Sequence, residues 1–260
     1  MNKRTAAFFD IDGTIFRDSL MIAHFRKMRE YGIINDLTWC GNINFSEERW
    51  QKRRLAYDDF LDDISKAYVE SLMGVSYGDI MFTARHTMRS RADEVYRFTK
   101  HRIQKHRELG HMVIFISGSP DFLVRQMANI WKADVYMGSK YIFQKGVFTG
   151  EIVPMWDSVS KLKAIRQLVA DYDIDLEQSF AYGDTNGDLT MLQSVGHPFA
   201  INPAKELLDK ISGDEKLSEK TTIVVERKDV IYQLRADTAT FDLSRDEDLM
   251  IRSSGLPDLP

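Results

Sequence analysis

One stretch of sequence decides the fold: Ala6-Ala7-Phe8-Phe9-Asp10-Ile11-Asp12-Gly13-Thr14. Its first four residues form a short, continuous apolar run, which is typical of a strand buried on both faces. Two carboxylates, two positions apart, follow this run. In an open parallel sheet, ligands bind beyond the carboxyl ends of the strands, so we expect Asp10 and Asp12 to lie where chemistry takes place. A strand followed by a plain Asp-Gly turn is the alternative interpretation.

Apolar runs of this kind recur along the chain and alternate with helical patterns. Strands are predicted at 112–116, 179–182, 199–201 and 222–225, and helices at 120–131, 158–171, 188–195 and 204–211. This alternation predicts an α/β protein with a Rossmann-like parallel sheet and helices on both faces. Residues 136–143 and 147–153, separated by Gln144-Lys145-Gly146, predict a hairpin on that core.

The interval from Arg17 to Arg91 interrupts the alternation, because it holds helix patterns and no convincing strand. The helix signals are a cap at Asp18 or Ser19 with a stop at Gly32, a second cap at Ser46, and a run from about Asp58 to Gly74. We therefore expect a core formed by 1–16 and 92–235, a helical cap domain at 17–91 inserted after the first strand, and a C-terminal tail at 236–260 with no assigned role.

Composition and charge narrow the classes of partner and compartment. The 260 residues carry 39 acidic side chains against 35 Lys and Arg, a formal net charge of −4. No nucleic acid and no membrane is therefore expected as a partner. The single cysteine, Cys40, excludes an internal disulfide and favours a reducing, cytoplasmic compartment. The apolar run before Asp10 is too short for an export signal, and no uncharged stretch approaches the length of a membrane span.

Two further features suit the binding of an anion. Ser117-Gly118-Ser119-Pro120 ends the second predicted strand, with Ser119 expected as a helix N-cap and Pro120 at the first helical position. A hydroxyl and free amides at a helix N-terminus form an anion site, although an ordinary cap is the alternative. Lys161 lies in the first turn of the helix predicted at 158–171, where a cation opposes the helix dipole. A nearby anion explains this placement better than simple exposure.

A second pair of acids follows another buried strand, in Gly183-Asp184-Thr185-Asn186-Gly187-Asp188. Helix capping is one interpretation of this pair. Folding nevertheless brings Asp184 and Asp188 toward Asp10 and Asp12 at one edge of the sheet, and four adjacent carboxylates repel strongly without a cation. Oxygen ligands that leave positions for water suit Mg²⁺. The sequence therefore predicts a magnesium site.

These four segments, in this order, resemble the haloacid dehalogenase superfamily of phosphohydrolases over about 6–17 and 95–225. The large helical insert is similar to that of the branch that includes phosphoserine phosphatases. The resemblance implies that Asp10 is a nucleophile that becomes an aspartyl-phosphate, and that Asp12 acts as general acid and then as general base. It also implies that the Asp12 carbonyl ligates Mg²⁺ beside the side chains of Asp10 and Asp184.

The same resemblance assigns the remaining site residues. Ser117 and the Gly118 amide are expected to hold phosphate oxygens, and Lys161 to neutralise charge on the nucleophile and the phosphoryl group. Asp188 is expected to order a metal-bound water or Lys161. Because dehalogenase relatives lack an acid at the position of Asp12, its presence favours phosphoester hydrolysis.

The chain departs from the phosphoserine phosphatase pattern at the predicted substrate contacts. Many of those enzymes carry, nine residues after the nucleophile, a glutamate that binds the substrate ammonium; here that position is Ser19, with Asp18 as a possible substitute. For the arginine that grips the substrate carboxylate, Arg53 or Arg54 is the candidate, and a solvated helix face at 49–54 is the alternative. Relatives often have asparagine where this chain has Gly187.

Two other groups of residues can be interpreted either as ordinary structural features or as binding sites. Trp39, Trp50 and Tyr57 form either the apolar core of the cap or an aromatic cage for a cationic head group. The basic stretch at 85–111 is either a solvated helix face or a contact for an anionic partner.

The expected function is Mg²⁺-dependent hydrolysis of a small soluble phosphomonoester, with a phosphorylated metabolite as partner and the cap closing over the site. The same residues also serve a phosphotransferase or mutase that uses the same aspartyl-phosphate. A non-catalytic module that binds a phosphorylated ligand is the third alternative. Substrate identity and oligomeric state stay open at this point.

Overall fold

A computed structural model describes residues 3–34, 42–52, 54–55 and 57–238. Over these residues eight strands form one sheet: β1 (Ala6–Phe9), β2 (Met112–Pro120), β3 (Val135–Gln144), β4 (Val147–Val153), β5 (Phe180–Gly183), β6 (His197–Ile201), β7 (Thr222–Glu226) and β8 (Ile231–Arg235). The strand order is β4-β3-β2-β1-β5-β6-β7-β8. The six inner strands run parallel, and β4 and β8 pair antiparallel at the two edges.

Helices connect the parallel strands. In chain order they are α1 (Leu20–Glu30), α2 (Asn42–Gln51), α3 (Tyr57–Leu72), α4 (Tyr77–Arg91), α5 (Arg97–Glu108), α6 (Asp121–Trp131), α7 (Ser158–Tyr172), α8 (Leu189–Ser194), α9 (Lys205–Gly213) and α10 (Glu215–Lys220). A 3₁₀ turn, Asn186–Asp188, precedes α8. The predicted α/β class with a parallel sheet is confirmed. In the described part of the chain, no helix is both long and apolar enough to cross a membrane.

The apolar run of β1 is explained by helices on both faces of the sheet. Successive strand residues point to opposite faces, and Phe9 belongs to one buried cluster while Phe8 belongs to another. The Phe9 cluster includes Phe25 of α1 and Leu123 of α6. The Phe8 cluster is closed by α7 to α10, with Ile165 as an example. A strand between two such layers has no solvated face and therefore no polar residue.

The helical segment between β1 and β2 is attached to the sheet at two places. Its two connections run side by side, with Arg17 N donating to Glu94 O at 3.0 Å and Tyr96 N to Ile15 O at 2.9 Å. The β3–β4 hairpin also touches it, where Tyr77 N donates to Gly146 O at 2.8 Å. Its buried side chains share the Phe9 cluster. The division into a core at 1–16 and 92–235 and a cap at 17–91 stays a prediction.

Two local predictions differ from the structure, and one strand was missed. The cap predicted at Ser46 is wrong, because α2 already begins at Asn42 and the Ser46 hydroxyl instead donates to Asp63 Oδ2 at 2.6 Å. The cap predicted at Ser119 is also wrong, because β2 continues to Pro120, which itself occupies the N-cap position of α6. Strand β8 was not predicted. The basic stretch 85–111 spans parts of α4 and α5.

Candidate active site

Several of the predicted site residues, among them Asp10, Ser117 and Asp184, lie at the carboxyl ends of three neighbouring strands. β1 pairs in parallel with β2 through Phe9 and Phe115, and with β5 through Phe9 and Tyr182. Asp10 continues this arrangement, because its backbone N donates to Tyr182 O at 2.9 Å. The residues after each strand therefore lie at one edge of the sheet, as the topology of parallel strands requires.

Three carboxylates gather at this edge. Asp10, Asp184 and Asp188 each offer an oxygen, and these atoms all lie within 4.8 Å of one another. Asp188 is fully buried and Asp10 is 5% exposed. Carboxylate oxygens at such a separation are the donor type that Mg²⁺ prefers, and the cluster needs positive charge to be stable. The residues present therefore fit a divalent cation.

A buried lysine supplies part of the positive charge. Lys161, in the first turn of α7, donates from Nζ to Asp10 Oδ1 at 2.6 Å and to Asp188 Oδ1 at 2.5 Å. Burial by itself lowers the Lys161 pKa, but attraction to Asp10 and Asp188 outweighs burial and raises the pKa above its ordinary value. The ammonium is therefore charged and offsets one of the three carboxylates.

The remaining negative charge appears in the pKa values of the acids. Burial raises the pKa of Asp10 well above its ordinary value, and repulsion from Asp188 and Asp12 adds to the rise that Lys161 opposes. Burial likewise raises the pKa of Asp184, together with repulsion from Asp10 and Asp188. Such shifts mean that Lys161 alone does not balance the cluster.

Asp188 orders the loop that carries Asp184. Its Oδ2 accepts from Asp184 N at 3.1 Å and from Thr185 N at 3.2 Å, while its Oδ1 accepts from Lys161. Both oxygens are therefore engaged by protein donors. The role predicted for Asp188, to order a metal-bound water or Lys161, stays a prediction.

Asp12 faces a different set of donors. Its Oδ1 accepts from Leu20 N at 2.5 Å and its Oδ2 from the Ser117 hydroxyl at 3.0 Å. Burial raises the Asp12 pKa, although the hydrogen bonds from Leu20, Ser119 and Ser117 act in the opposite direction. Because burial outweighs these hydrogen bonds, the Asp12 carboxyl group can keep a proton that a solvated aspartate would lose.

Close approach of Asp184 to the β1 loop depends on Gly13 and Thr14. Gly13 has a φ of +79°, and a Cβ at this position would lie 2.0 Å from Asp184 Oδ2. The Thr14 hydroxyl donates to Asp184 Oδ1 at 3.0 Å. Thr14 was not predicted as a site residue, and its only sequence signal is its position directly after Asp12-Gly13.

The predicted phosphate-binding pair lies beside Asp12 at the end of β2. Ser117 is buried, and its Oγ also accepts from Ser119 N at 3.0 Å. The Gly118 carbonyl accepts from the Ser139 hydroxyl at 2.7 Å. Trp156 packs so closely on Gly118 that a Cβ there would lie 2.8 Å from the Trp156 Cβ.

The residues predicted to contact the substrate have other partners in the structure or lie outside its described residues. Ser19 is buried at the N-cap of α1, where its hydroxyl accepts from Ile22 N at 3.4 Å. Asp18 pairs with Arg91 at 3.1 Å and with Arg26 at 3.5 Å. Arg53 lies outside the described residues.

The other candidate residues have partners elsewhere in the protein or lie outside the described residues. Trp50 stacks on Phe60 with ring centroids 5.0 Å apart, as in an apolar core. Trp39 and the Tyr57 side chain, the other members of the hypothetical cage, are outside the described part. The Asn186 side chain accepts from Lys210 Nζ at 2.7 Å.

The chain belongs to the haloacid dehalogenase-like hydrolase family, whose model matches residues 7–193. The predicted resemblance and the hydrolase class are thereby confirmed. This match covers all four segments from which the resemblance was inferred. It ends within α8, before β6, β7 and β8.

Two curated relatives are similar to this chain in sequence, and a solved structure is similar to it in fold. An inhibition of morphological differentiation protein of Streptomyces azureus is 29% identical over 217 residues, which is 78% of this chain and 74% of the relative. A probable phosphatase of Mycobacterium tuberculosis is 27% identical over 218 residues, covering 80% of this chain and 72% of the relative. A solved phosphoserine phosphatase with an analogue of its phospho-aspartyl intermediate shares the fold at a TM-score of 0.57 and 16% identity, covering 88% of this chain and 96% of its own.

Proposed function

We propose that this hydrolase is a Mg²⁺-dependent phosphatase that cleaves small phosphomonoesters through an aspartyl-phosphate on Asp10. The observation that carries the proposal is the buried cluster in which Asp10 lies beside the Lys161 ammonium and the carboxylates of Asp184 and Asp188. The phosphatase class is supported by the family and by the phosphatase relative. A carboxylate can act as a nucleophile toward phosphorus when nearby positive charge offsets the charge of the phosphoryl group.

The cation would be held by the side chains of Asp10 and Asp184 and by the Asp12 carbonyl. Both Asp188 oxygens already accept from Lys161 and from the amides of Asp184 and Thr185. Asp188 would therefore orient the residues around the cation. When bound, Mg²⁺ supplies positive charge for the carboxylates and for the phosphoryl oxygens.

The chain's own residues divide the two chemical steps between them. In the first step an Asp10 oxygen attacks phosphorus, the bond to the ester oxygen breaks, and Asp12 donates a proton to the leaving alkoxide. In the second step Asp12 takes a proton from water, the water oxygen attacks phosphorus, and the bond to Asp10 breaks. The Ser117 hydroxyl, 3.0 Å from Asp12 Oδ2, and the Gly118 amide would hold phosphoryl oxygens meanwhile.

The substrate class is a small phosphorylated metabolite, and phosphoserine itself is not favoured over others. The hydroxyl of Ser19, at the position of the ammonium-binding glutamate, caps α1 and is buried. Asp18 is engaged by two arginines. Neither residue offers a carboxylate that is free to bind an ammonium group.

The proposal is tested by phosphate release from an aryl phosphate, with Mg²⁺ and with a chelator, for the wild-type chain and Asp10→Asn. Asp134→Asn is the matched control, because Asp134 accepts from Val113 N at 2.7 Å at the opposite end of β2. We expect activity only with Mg²⁺, in the wild type and the control. Full activity of Asp10→Asn or in chelator would refute the proposal. Alcohol release in excess of phosphate would indicate transfer to an acceptor.

A further inference from the structure

Trp156, in the connection between β4 and α7, is a large aromatic side chain that the fold leaves 54% exposed. The other two described tryptophans have partners within the chain. Trp131 Nε1 donates to Ala92 O at 3.2 Å, and Trp50 stacks on Phe60. Among the described residues, none offers a ring contact or a hydrogen bond to the Trp156 indole. Because tryptophan contributes strongly to binding when a partner covers it, an indole placed in this way is a candidate binding surface.

Trp156 lies against two loops of the proposed active site. On one side it contacts Gly118, where an added Cβ would lie 2.8 Å from the Trp156 Cβ and 3.1 Å from its Cα. On the other side it contacts Gly187, where an added Cβ would lie 2.6 Å from the Trp156 carbonyl oxygen. Gly118 belongs to the predicted phosphate-binding pair, and Gly187 belongs to the loop after β5. The Trp156 side chain therefore leaves the backbone directly beside the proposed phosphate site.

Hydrogen bonds on both sides of this tryptophan hold its backbone in place. Before it, Met155 N donates to the Ser139 hydroxyl at 3.0 Å. After it, the Ser158 hydroxyl donates to the Asn186 carbonyl at 2.9 Å. The first bond connects the segment to β3, and the second connects it to the loop after β5. A ring on a fixed backbone loses little conformational freedom when a ligand covers it, so more of the contact energy appears as affinity.

We propose that the Trp156 indole determines substrate specificity by stacking on a flat aromatic or heteroaromatic ring in the organic part of the phosphomonoester. This inference rests on the proposed function, because the Gly118 amide has to hold the phosphoryl group for that ring to lie beside the indole. The phosphate site then binds one end of the substrate and the indole binds the other. The substrate class is thereby narrowed to phosphate esters that carry a ring close to the phosphate.

Two observations favour an uncharged ring over a charged group as the partner of the indole. The same short segment exposes two further apolar side chains, because Val153 is 52% and Val159 is 77% exposed. The residues predicted to bind a charged substrate group have other partners, since Ser19 caps α1 and Asp18 pairs with two arginines. A flat ring is bound through contact area and stacking, and it needs no charged partner.

The test is calorimetric binding of two phosphonates to the full chain in the presence of Mg²⁺. Benzylphosphonate carries a ring and methylphosphonate does not, and neither is hydrolysed, because the carbon–phosphorus bond replaces the ester bond. The wild type should bind benzylphosphonate about tenfold more tightly, which is the scale of one stacked ring. Trp156→Leu should abolish this preference, because leucine is apolar but has no ring face. Trp156→Phe should keep most of it.

Tyr232→Leu, at an exposed aromatic position of β8, is the matched control and should keep the wild-type preference. Equal Kd values of the two phosphonates in the wild type, or a preference that survives Trp156→Leu, would overturn the inference. Tighter binding of 2-(trimethylammonio)ethylphosphonate than of benzylphosphonate would overturn the ring as the substrate class. Absence of binding by every phosphonate would overturn the inference together with the phosphate site. A wild type that prefers benzylphosphonate but releases no phosphate from benzyl phosphate would contradict the proposed function alone.

Discussion

Lys161 Nζ lies 2.6 Å from Asp10 Oδ1, although 151 positions separate the two residues in sequence. The contact joins the first turn of α7 to the end of β1, and both side chains are buried. It fixes the orientation of the proposed nucleophile and gives it a neighbouring cation. The same ammonium also contacts Asp188, so one lysine links the β1 loop to the loop after β5.

Gly13→Ala should abolish most activity, because the new Cβ would lie 2.0 Å from Asp184 Oδ2 and displace that carboxylate. A misplaced group in the site commonly costs about 10²-fold in rate, so we expect at least that loss in kcat/KM. Gly74→Ala is the matched control: its φ is +78° against +79° for Gly13, and nothing lies within 4 Å of its Cβ. Equal loss in the two variants would attribute the effect to backbone strain.

Mg²⁺ should raise the Tm of the wild-type chain. At 100 times Kd a ligand specific for the folded state adds about 2.7 kcal/mol to the free energy of unfolding. For a domain of this size the corresponding rise in Tm is roughly 5–10 °C. Asp184→Asn should lose this rise, and its metal-free Tm should exceed the wild-type value because repulsion with Asp10 and Asp188 is relieved. A metal-induced rise that survives the substitution would place the cation elsewhere.

Asp12→Asn should respond to the leaving group. An alkoxide needs a proton from Asp12, so hydrolysis of an alkyl phosphate should fall by about 10²–10⁴-fold. Nitrophenolate leaves without that proton, so p-nitrophenyl phosphate should give a burst of about one nitrophenol per site followed by slow turnover. Stopped-flow absorbance measures the burst. Equal losses for both substrates, with no burst, would contradict the role proposed for Asp12.

The stability of the protein should fall between pH 7 and pH 5 through His24. This side chain is buried between Tyr68 Oη at 2.7 Å and Thr83 Oγ1 at 2.8 Å, and burial lowers its pKa to about 3. Below pH 6.5 the unfolded chain binds a proton that the folded chain does not. His24 therefore contributes a decrease of about 1.4 kcal/mol per pH unit in the free energy of unfolding as pH falls through this window, until the folded pKa is approached.

Urea unfolding at several pH values measures this slope. His24→Gln should reduce the slope between pH 6.5 and pH 5 by about 1.4 kcal/mol per pH unit. The contribution of His106, whose pKa burial also lowers to about 3, should remain. His101→Gln, at an exposed position of α5, is the control and should keep the wild-type slope. A slope in His24→Gln equal to that of the control would show that His24 does not contribute.

The sequence was sufficient to predict the parallel sheet and the meeting of Asp10, Asp184 and Asp188. Both follow from local patterns, because a buried strand reads as an apolar run and parallel strands end at one edge. The hydrogen bonds that position the site residues could not be predicted from the sequence, because they depend on tertiary packing. The bonds from Thr14 to Asp184 and from Leu20 N to Asp12 Oδ1 carry no periodic signal.

The prediction of where an element begins was wrong where a residue has several possible hydrogen-bond partners. Serine is a preferred N-cap residue, but the Ser46 hydroxyl donates a hydrogen bond to Asp63 and α2 begins earlier. Strand β8 was not predicted because its residues show no alternation of buried and exposed positions. Only Leu234 is partly buried, and the other four residues are exposed. Propensity and pattern fix an element when burial enforces them, and the mostly exposed residues of β8 are not enforced in that way.

The most direct test of the central claim is identification of the phosphorylated residue during turnover. Asp12→Asn would be mixed with p-nitrophenyl phosphate and Mg²⁺, quenched in acid, reduced with borohydride, and digested for peptide mass mapping. Because borohydride converts an aspartyl-phosphate to homoserine, the account predicts this conversion at residue 10, with a yield equal to the nitrophenol burst. A full burst with Asp10 unchanged, or with another residue modified, would contradict it.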